Sequence, residues 1–300
     1  MPNQKILITG GSGMLGEYLN VFLSKENEVL TTYNNNTGNC LNYNSIKIDL
    51  TDFDKVEKMV REFKPDVIVH TAAISRTDLC DKMPYEEVYK INSELPQFLA
   101  ELCNSFSAKL IYTSTDLVYD GEQGEMLNEE AKINPITVYA ETKYKGEELI
   151  RKTAKNYIIL RQALMYGFSL SKAMNYFKTM YDNFNEGRKT KLFYDQYRTP
   201  MSVIDSARLI AKLCDMEVGN IILNWGGAER VNRVELAETL CELKGFDNSL
   251  IEAISMDEIS NIKKVKDVSM NTEKIKKLGL MPLGVKEGLR EVLGFPPARE

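Results

Sequence analysis

The chain has 300 residues, of which 43% are hydrophobic and 27% are charged, and its formal net charge is −5. This composition is typical of a globular protein with enough core for one large domain or two unequal ones. The acidic balance argues against nucleic acid or an anionic membrane surface as a partner, because both would need a basic excess.

Targeting and redox signals point to a cytoplasmic protein. The first apolar run, Lys5–Thr9, is too short for a signal-peptide core, and no stretch approaches the roughly 20 apolar residues of a membrane span. The five cysteines are scattered without a C-x-x-C pair, which suits reduced thiols. The only histidine is His70, so no metal site is predicted and a Ser-His-Asp triad is nearly excluded.

Short apolar runs alternate with longer helical patterns through the first half of the chain. The predicted strands are Lys5–Thr9, Glu28–Thr32, Ser45–Ile48, Val67–His70, Lys109–Thr113 and Tyr157–Arg161. The predicted helices are Met14–Lys25, Phe53–Phe63, Pro84–Phe106 and Val138–Ala154. This alternation predicts right-handed βαβ units. The fold class is therefore α/β, with a doubly wound parallel sheet of the Rossmann type covered by helices on both faces.

The pattern is less regular after Arg161. Aromatic and Met residues crowd Met165–Tyr197, which suits either a ligand-shaping surface or a plain helical packing face. Val203–Met216 and Asn220–Leu223 predict one more helix and one more strand that could return to the main sheet. The last segments predict a smaller, mainly helical C-terminal lobe, and they are Arg233–Lys244, Asn271–Leu278 and Gly284–Leu293.

A glycine-rich turn from Thr9 to Gly16 follows the first strand and opens the first helix. Gly10 permits a tight turn, Gly13 lets the backbone approach a pyrophosphate, and Gly16 lets helix and strand pack closely. Free N–H groups and the positive end of the helix dipole would face the phosphates. In this context the turn predicts a bound dinucleotide, with contacts from Gly10, Gly13, Met14, Leu15 and Gly16.

The turn also assigns roles to the two predicted parts of the chain. Residues 1–165 are predicted to form a dinucleotide-binding domain, to which residues 198–224 return. Residues 166–197 and 225–300 are predicted to form a substrate-binding lobe.

The type of nicotinamide cofactor depends on the end of the second strand. NAD-binding turns usually carry Asp or Glu there, whereas this chain has Thr32, Tyr33 and Asn34. Loss of the acid removes a repulsion against a 2′-phosphate, but no arginine supplies an attraction. NADP(H) is therefore slightly favoured, and NAD(H) stays open. Asp49 and Leu50, after the third strand, could border the adenine; alternatively, Asp49 simply caps the helix that follows.

A tyrosine and a lysine, Tyr139 and Lys143, have (i, i+4) spacing at the start of the helix after the fifth strand, so they share one face. A neighbouring ammonium would lower the pKa of the phenol and make it a better proton donor. The same ammonium could hold the nicotinamide ribose. Thr115, at the end of the fifth strand, could position a substrate oxygen, or could only satisfy the local backbone.

These motifs closely resemble those of the extended short-chain dehydrogenase/reductases, and among them the dTDP-4-dehydrorhamnose reductase group of nucleotide-sugar 4-ketoreductases. The resemblance spans nearly the whole chain and is more specific for the superfamily than for one sugar. Besides the glycine turn, the matching residues are Lys64–Ala73, Ile91–Asn92, Thr113–Gly121, Asn134–Pro135, Tyr139–Lys143, Gly146–Glu147, Leu160–Arg161, Tyr166–Gly167, Asp195–Gln196, Pro200 and Lys266–Met270.

The resemblance implies roles for individual residues. The implied catalytic set is Thr115, Tyr139 and Lys143. The implied cofactor contacts outside the glycine turn are Asp49, Leu50, Thr71, Ala72, Ala73, Asn92, Thr113, Tyr139 and Lys143. Asn92 would orient Lys143 through water, although from the residues alone it could equally be a buried, satisfied helix residue. The implied substrate contacts are Ser75, Thr115, Asp116, Leu164 and Arg198. His70, at the end of an apolar strand, is interpreted as structural.

Departures from the family patterns narrow the reaction. Dehydratases of the superfamily carry an acid where this chain has Leu117, and no Cys/His pair for epimerase-reductase chemistry is evident. Two positions differ from the rhamnose-pathway pattern. Residues 161–164 lack the expected aromatic, and Arg198 replaces a small residue, where it could hold a diphosphate or simply lie on the surface.

The resemblance therefore implies NAD(P)H-dependent reduction of the keto group of a nucleotide-linked 4-keto-6-deoxy sugar. A homodimer is compatible with this assignment. Two alternatives stay open: a non-catalytic regulatory subunit resembling the β subunit of methionine adenosyltransferase, and a nucleotide-sugar 4-epimerase.

Overall fold

A computed structural model describes residues 3–260 and 262–295, so the outermost residues of the two predicted regions, 1–2 and 296–300, lie outside it. Eleven strands form within the described residues. They are β1 (Lys5–Thr9), β2 (Glu28–Tyr33), β3 (Ser45–Lys47), β4 (Val67–His70), β5 (Lys109–Thr113), β6 (Tyr157–Gln162), β7 (Met165–Tyr166), β8 (Thr190–Phe193), β9 (Met201–Ser202), β10 (Ile221–Trp225) and β11 (Ile251–Ile254).

The same part of the chain forms eleven α-helices. They are α1 (Met14–Leu23), α2 (Phe53–Phe63), α3 (Thr77–Cys80), α4 (Tyr85–Tyr89), α5 (Leu95–Phe106), α6 (Val138–Thr153), α7 (Tyr176–Asn185), α8 (Val203–Asp215), α9 (Arg233–Lys244), α10 (Glu273–Lys277) and α11 (Val285–Gly294). A π-helical turn, Lys90–Glu94, joins α4 to α5. Short 3₁₀ turns are Cys40–Asn42, Asp116–Val118, Asn248–Leu250 and Met256–Glu258.

Seven strands form one parallel sheet in the order β10-β6-β5-β4-β1-β2-β3. This confirms the predicted doubly wound fold. From β1 the chain builds outward through β2 and β3 on one side, and then through β4, β5, β6 and β10 on the other. The order therefore reverses between β1 and β4. Ligands of such sheets bind in the crevice at the carboxyl ends of the strands beside this reversal.

The sheet is buried on both faces because alternate residues of its central strands pack against different helices. In β1, Ile6 and Ile8 belong to the core that includes residues of α1 and α8. Leu7 belongs to the core on the other face, with residues of α2 and α5. Both β4 and β5 are buried along their whole length, which explains why their sequences are continuous apolar runs.

The second half of the chain contains strands that the sequence did not predict. β8 pairs with β11, and β7 pairs with β9, each as a two-stranded parallel sheet. The aromatic residues of the 165–197 segment mostly pack on one another: Phe168 meets Phe177 and Tyr181 edge-to-face, and Tyr181 and Phe184 meet Phe246. They form a packing face. None of the described helices combines the length and apolar character needed to cross a bilayer.

Candidate active site

Of the three motif glycines Gly10, Gly13 and Gly16, the turn leaves no room for a side chain at Gly10 and Gly16. Gly10 has a φ of +75°, and a Cβ there would lie 2.7 Å from the Ala72 nitrogen. A Cβ on Gly16 would lie 2.2 Å from the Gly10 oxygen and 2.6 Å from the Gly11 Cα. Gly13 is exposed, and its only close neighbour would be the Gly10 oxygen at 3.3 Å. The turn thus presents a bare backbone surface at Gly13.

The N-terminus of α1 lies directly behind that surface. Gly13 caps the helix and no side chain accepts from its first turn, so the N–H groups of Met14 and Leu15 have no side-chain cap. Together with the helix dipole, these groups suit an anion. A dinucleotide diphosphate therefore fits the turn. Thr71 and Ala72 border it: the Thr71 hydroxyl donates to the Thr9 oxygen over 2.8 Å, and Ala72 lies against Gly10.

The predicted adenosine side carries no charge at the end of β2. The Thr32 hydroxyl accepts from the Gly10 N–H over 3.3 Å and so supports the turn. Asp49 is exposed, and its carboxylate accepts from the N–H and hydroxyl of Thr51. Asp52, not Asp49, caps α2, so the capping alternative for Asp49 was wrong. Contact of Asp49 and Leu50 with an adenine stays a prediction.

Tyr139 and Lys143 lie in the first two turns of α6, which Thr137 caps by accepting from the Ala140 N–H over 3.1 Å. Tyr139 is half-buried, and its phenol lies close enough to the Thr115 hydroxyl to be influenced by it. Lys143 is only 1% exposed. Thr115 follows the carboxyl end of β5, so the predicted catalytic residues meet at the same sheet edge as the glycine turn.

Burial dominates the protonation of this pair. It raises the pKa of Tyr139 above its usual range, although the nearby Thr115 hydroxyl opposes the rise. Burial also lowers the pKa of Lys143 to about 7, although the Glu147 carboxylate opposes the drop. The predicted lowering of the phenol pKa was wrong, because burial outweighs it and raises the pKa. A lysine with this pKa carries only part of a positive charge at neutral pH, so it stabilises the phenolate only in part. Desolvation disfavours the charged phenolate regardless of the state of the lysine.

Asn92 contacts α6 directly. Its side-chain oxygen accepts from the Ile74 N–H over 3.0 Å, and its amide nitrogen donates to the Ile74 oxygen and to the Thr142 hydroxyl, both over 3.1 Å. Asn92 is thus a buried residue whose side chain is satisfied, as the second interpretation of it predicted. Its action on Lys143 through water stays a prediction. The Thr113 hydroxyl donates to the His70 oxygen and ties β5 to β4.

Thr115, Asp116, Leu164 and Arg198 come together beside Tyr139. The Thr115 hydroxyl accepts from the Leu117 N–H over 3.2 Å, so it also serves the local backbone. Asp116 is 5% exposed and lies 3.5 Å from the Arg198 Nε. Burial raises the pKa of the Asp116 carboxyl, while the Arg198 charge, the Thr115 hydroxyl and the Leu164 N–H oppose the rise.

Arg198 is 5% exposed, so the surface alternative was wrong. Its guanidinium donates to the backbone oxygens of Tyr197, Val265 and Lys266, which commits most of its hydrogen-bond donors to the fold. That Arg198 alone binds a diphosphate stays a prediction, and few of its N–H groups remain available to donate to one. Ser75 is exposed in the segment between β4 and α3, and Ala73 precedes it as a half-buried residue.

Two residues that the sequence interpretation missed lie in the same region. Arg233 opens α9, and its Nε donates to Gln196 over 2.8 Å. Its guanidinium lies 4.6 Å from the ring centre of Tyr176, the first residue of α7. Among the described residues, neither the Arg233 Nη1 nor the Tyr176 hydroxyl finds a hydrogen-bond partner, although both are buried. The charge of Arg233 acts on Asp116 and Arg198, so these three residues lie near one another.

His70 is fully buried behind this site. Its Nδ1 is 2.6 Å from the Thr9 hydroxyl, and its ring stacks on Tyr112 with centroids 5.7 Å apart. Burial, with the charge of Lys143, lowers the pKa of His70 well below its usual value. These contacts join β1, β4 and β5, as expected of a structural histidine.

A family model for the RmlD substrate binding domain matches residues 4–294. The chain belongs to the RmlD substrate binding domain family. It is an NAD(P)-dependent oxidoreductase of the extended short-chain dehydrogenase/reductase type. The structure of a dTDP-4-dehydrorhamnose reductase from Clostridium acetobutylicum is similar to it with a TM-score of 0.85 and 29% identity, over 96% of this chain and 98% of that one.

Two curated relatives differ in what they are named for. The spore coat polysaccharide biosynthesis protein SpsK of Bacillus subtilis is 27% identical over 291 residues, which cover 96% of each chain. Subunit beta of methionine adenosyltransferase 2 from Xenopus laevis is 25% identical over 308 residues, which cover 98% of this chain and 88% of the relative. This RmlD-family member therefore resembles both a polysaccharide biosynthesis protein and a subunit of methionine adenosyltransferase 2.

Proposed function

We propose that this protein reduces the keto group of a nucleotide-linked 4-keto-6-deoxy sugar, in the manner of a dTDP-4-dehydrorhamnose reductase. The observation that carries the proposal is the arrangement of Tyr139 beside Thr115, with the buried Lys143 one helical turn further along α6, at the sheet edge that also holds the glycine turn. A proton donor, a hydroxyl that orients it and a nearby amine are what reduction of a carbonyl requires from the protein.

Tyr139 is the proton donor in this proposal. Because burial raises its pKa, the phenol is protonated throughout the neutral range. Thr115 orients the keto oxygen toward it, and a bound reduced nicotinamide supplies the hydride. Once Tyr139 has given up its proton, the phenolate benefits from a protonated Lys143, whose pKa of about 7 lets it hold or release a proton near neutral pH.

Both nicotinamide cofactors are proposed to serve, with NADPH slightly preferred. Residues 31–46 contain no charged side chain. This segment therefore has no carboxylate that would repel a 2′-phosphate and no cation that would form an ion pair with it. We expect kcat/KM for NADPH and NADH to differ by no more than about tenfold, which corresponds to about 1.4 kcal/mol.

Arg233 and Tyr176 are proposed to contact the diphosphate of the substrate, because their unpaired donors need an acceptor. Replacing Arg233 by Met should raise KM for the nucleotide sugar by about 10- to 100-fold, the loss of a charged hydrogen bond of about 1.5–3 kcal/mol. The affinity for the cofactor should not change.

The test of the proposed function is a panel of dTDP-, UDP-, GDP- and CDP-linked 4-keto sugars, assayed by oxidation of NADPH and NADH. Tyr139→Phe should lower kcat by about 10²- to 10⁴-fold, the usual contribution of a general acid, while cofactor binding survives. Tyr157→Phe is the matched control, because Tyr157 begins β6 at the opposite edge of the sheet. Near-normal rates for Tyr139→Phe would refute the mechanism.

The similarity to methionine adenosyltransferase subunit beta favours a second candidate, a non-catalytic regulatory subunit. That candidate predicts cofactor binding without oxidation by any keto sugar in the panel, and altered kinetics of a methionine adenosyltransferase on mixing. A 4-epimerase would instead return a product inverted at C4 without net cofactor turnover. We further propose a cytoplasmic location, which the five free, buried cysteines suit; a homodimer stays a prediction.

A further inference from the structure

We propose that Tyr112 is a positioning residue for Lys143 and holds this lysine at both its ends. The inference rests on the proposed function only in giving Lys143 a role at the cofactor. Tyr112 lies in β5 and is completely buried. Its ring centre is 4.1 Å from the Lys143 Nζ, and its hydroxyl donates to the Lys143 carbonyl oxygen over 3.2 Å.

The tyrosine hydroxyl reaches Lys143 through a gap between two helical segments. Its single proton is shared between the Lys143 carbonyl oxygen and the Asn92 carbonyl oxygen, which lies 3.0 Å away. Asn92 lies in the π-helical turn, where the interrupted ladder of backbone hydrogen bonds leaves room for an outside donor. Tyr112 therefore links the π-helical turn to α6 at the residue that carries the amine.

Gly146 makes that link possible. A Cβ on Gly146 would lie 2.6 Å from the Asn92 oxygen and 2.7 Å from the Tyr112 hydroxyl, closer than real side chains approach. Position 146, one turn after Lys143, therefore requires a residue without a Cβ. It leaves the space in which the hydroxyl meets both carbonyl groups.

The charge of Glu147 also favours the Lys143 ammonium, but its carboxylate is bound to other partners, and the Tyr112 ring lies directly against the Lys143 Nζ. Glu147, one turn further along α6, is engaged by Arg161 over 2.9 Å and by the Ser114 hydroxyl. His70, on β4, stacks on Tyr112 and is neutral because burial lowers its pKa. The face of an aromatic ring attracts an ammonium, and the attraction grows when water is excluded. Tyr112 therefore favours the protonated form of Lys143 against the cost of burial.

The experiment measures cofactor affinity against pH from 5.5 to 9 by NADPH fluorescence, without any sugar. In the wild type, binding should weaken as the Lys143 ammonium is lost, and Lys143→Met should abolish this transition. Removing the ring in Tyr112→Leu should move the midpoint down by about one pH unit, because a desolvated cation–π contact is comparable to one pKa unit. Tyr112→Phe keeps the ring and should keep the midpoint, while loss of the hydroxyl that ties α6 to the π-helical turn should weaken cofactor binding at every pH. Phe98→Leu removes a ring that stacks on Phe53 instead and should also keep it.

A second variant covers the case in which Tyr112→Leu does not fold. Replacing Tyr112 by 3,5-difluorophenylalanine keeps the shape of the ring but weakens its attraction for cations, so the midpoint should again fall relative to Tyr112→Phe. An unmoved midpoint in a folded ring variant, or a flat wild-type profile, would overturn the proposal. If the midpoint moves but no keto sugar is reduced, the proposed function fails and the role of Tyr112 stands. If keto sugars are reduced but the midpoint does not move, the role of Tyr112 fails and the proposed function stands.

Discussion

Loss of Arg161 should destabilise the fold strongly, because it would leave the buried Glu147 carboxylate without its cationic partner. Arg161 and Glu147 are 3% and 1% exposed, and two guanidinium nitrogens donate to the carboxylate over 2.9 to 3.3 Å. A third nitrogen donates to the Tyr119 hydroxyl over 2.9 Å. Replacing Arg161 by Met leaves the Ser114 hydroxyl as the remaining side-chain partner of Glu147.

Breaking one side of a buried ion pair costs about 3–5 kcal/mol. With a denaturant slope near 3 kcal/mol/M, that loss lowers the urea midpoint of Arg161→Met by about 1 M or more. The double variant Arg161→Met with Glu147→Leu should recover most of the loss, because apolar pairs of similar volume often replace buried ion pairs at little cost. Tyr119 keeps a partner in the double variant, since its hydroxyl also lies 2.9 Å from the Asn224 side chain.

The assay is equilibrium unfolding in urea, followed by tryptophan fluorescence, on the wild type, both single variants and the double variant. The cycle isolates the coupling between the two residues. A single Arg161→Met variant that loses less than about 1 kcal/mol, the scale of an exposed ion pair, would refute the reasoning. So would a double variant no more stable than the worse single one.

Three further predictions test other parts of the molecule. Gly16→Ala should abolish NADPH binding in a fluorescence titration because its Cβ would overlap the Gly10 oxygen, whereas Gly294→Ala, which meets nothing within 4 Å, should bind normally. His70 is neutral when folded and takes up a proton near pH 6.5 when unfolded, so stability should decline below pH 6.5 by up to about 1.4 kcal/mol per pH unit. Thermal unfolding of His70→Asn should show a flatter decline between pH 6.5 and 5, and an equal decline would contradict this account. Lys109→Met should cost about 2–3 kcal/mol in urea because its Nζ donates to the carbonyl groups that end α8, with cofactor affinity unchanged.

Local signals in the sequence were enough for the main sheet and the centre of the site. The continuous apolar runs of β4 and β5 follow from burial on both faces, and the glycine turn combines conformational and packing demands within eight residues. Tyr139 and Lys143 are one helical turn apart, so their common face follows from helix geometry alone. The elements that were predicted correctly are thus those that depend on residues close together in the sequence.

What the sequence did not reveal depends on contacts between distant segments. β8 and β11 pair across about sixty residues, and no local pattern links them. Arg233 and Tyr176 come from different helices, one of which was not predicted. The pKa of Tyr139 was assigned the wrong direction because the cost of burial depends on everything packed around the phenol, while the spacing to Lys143 reports only one neighbour.

The position of β10 at the edge of the main sheet constrains how this enzyme could be re-engineered. The chain leaves the sheet after β6, builds α7 and β8, and then comes back to lay β10 beside β6 before departing again. With the predicted division, a single cut beyond residue 165 would remove β10 from the dinucleotide-binding domain or leave the predicted substrate-binding lobe in two fragments. Exchanging that predicted lobe for a different sugar-recognition module would therefore require two coordinated exchanges, one on each side of the segment that carries β10.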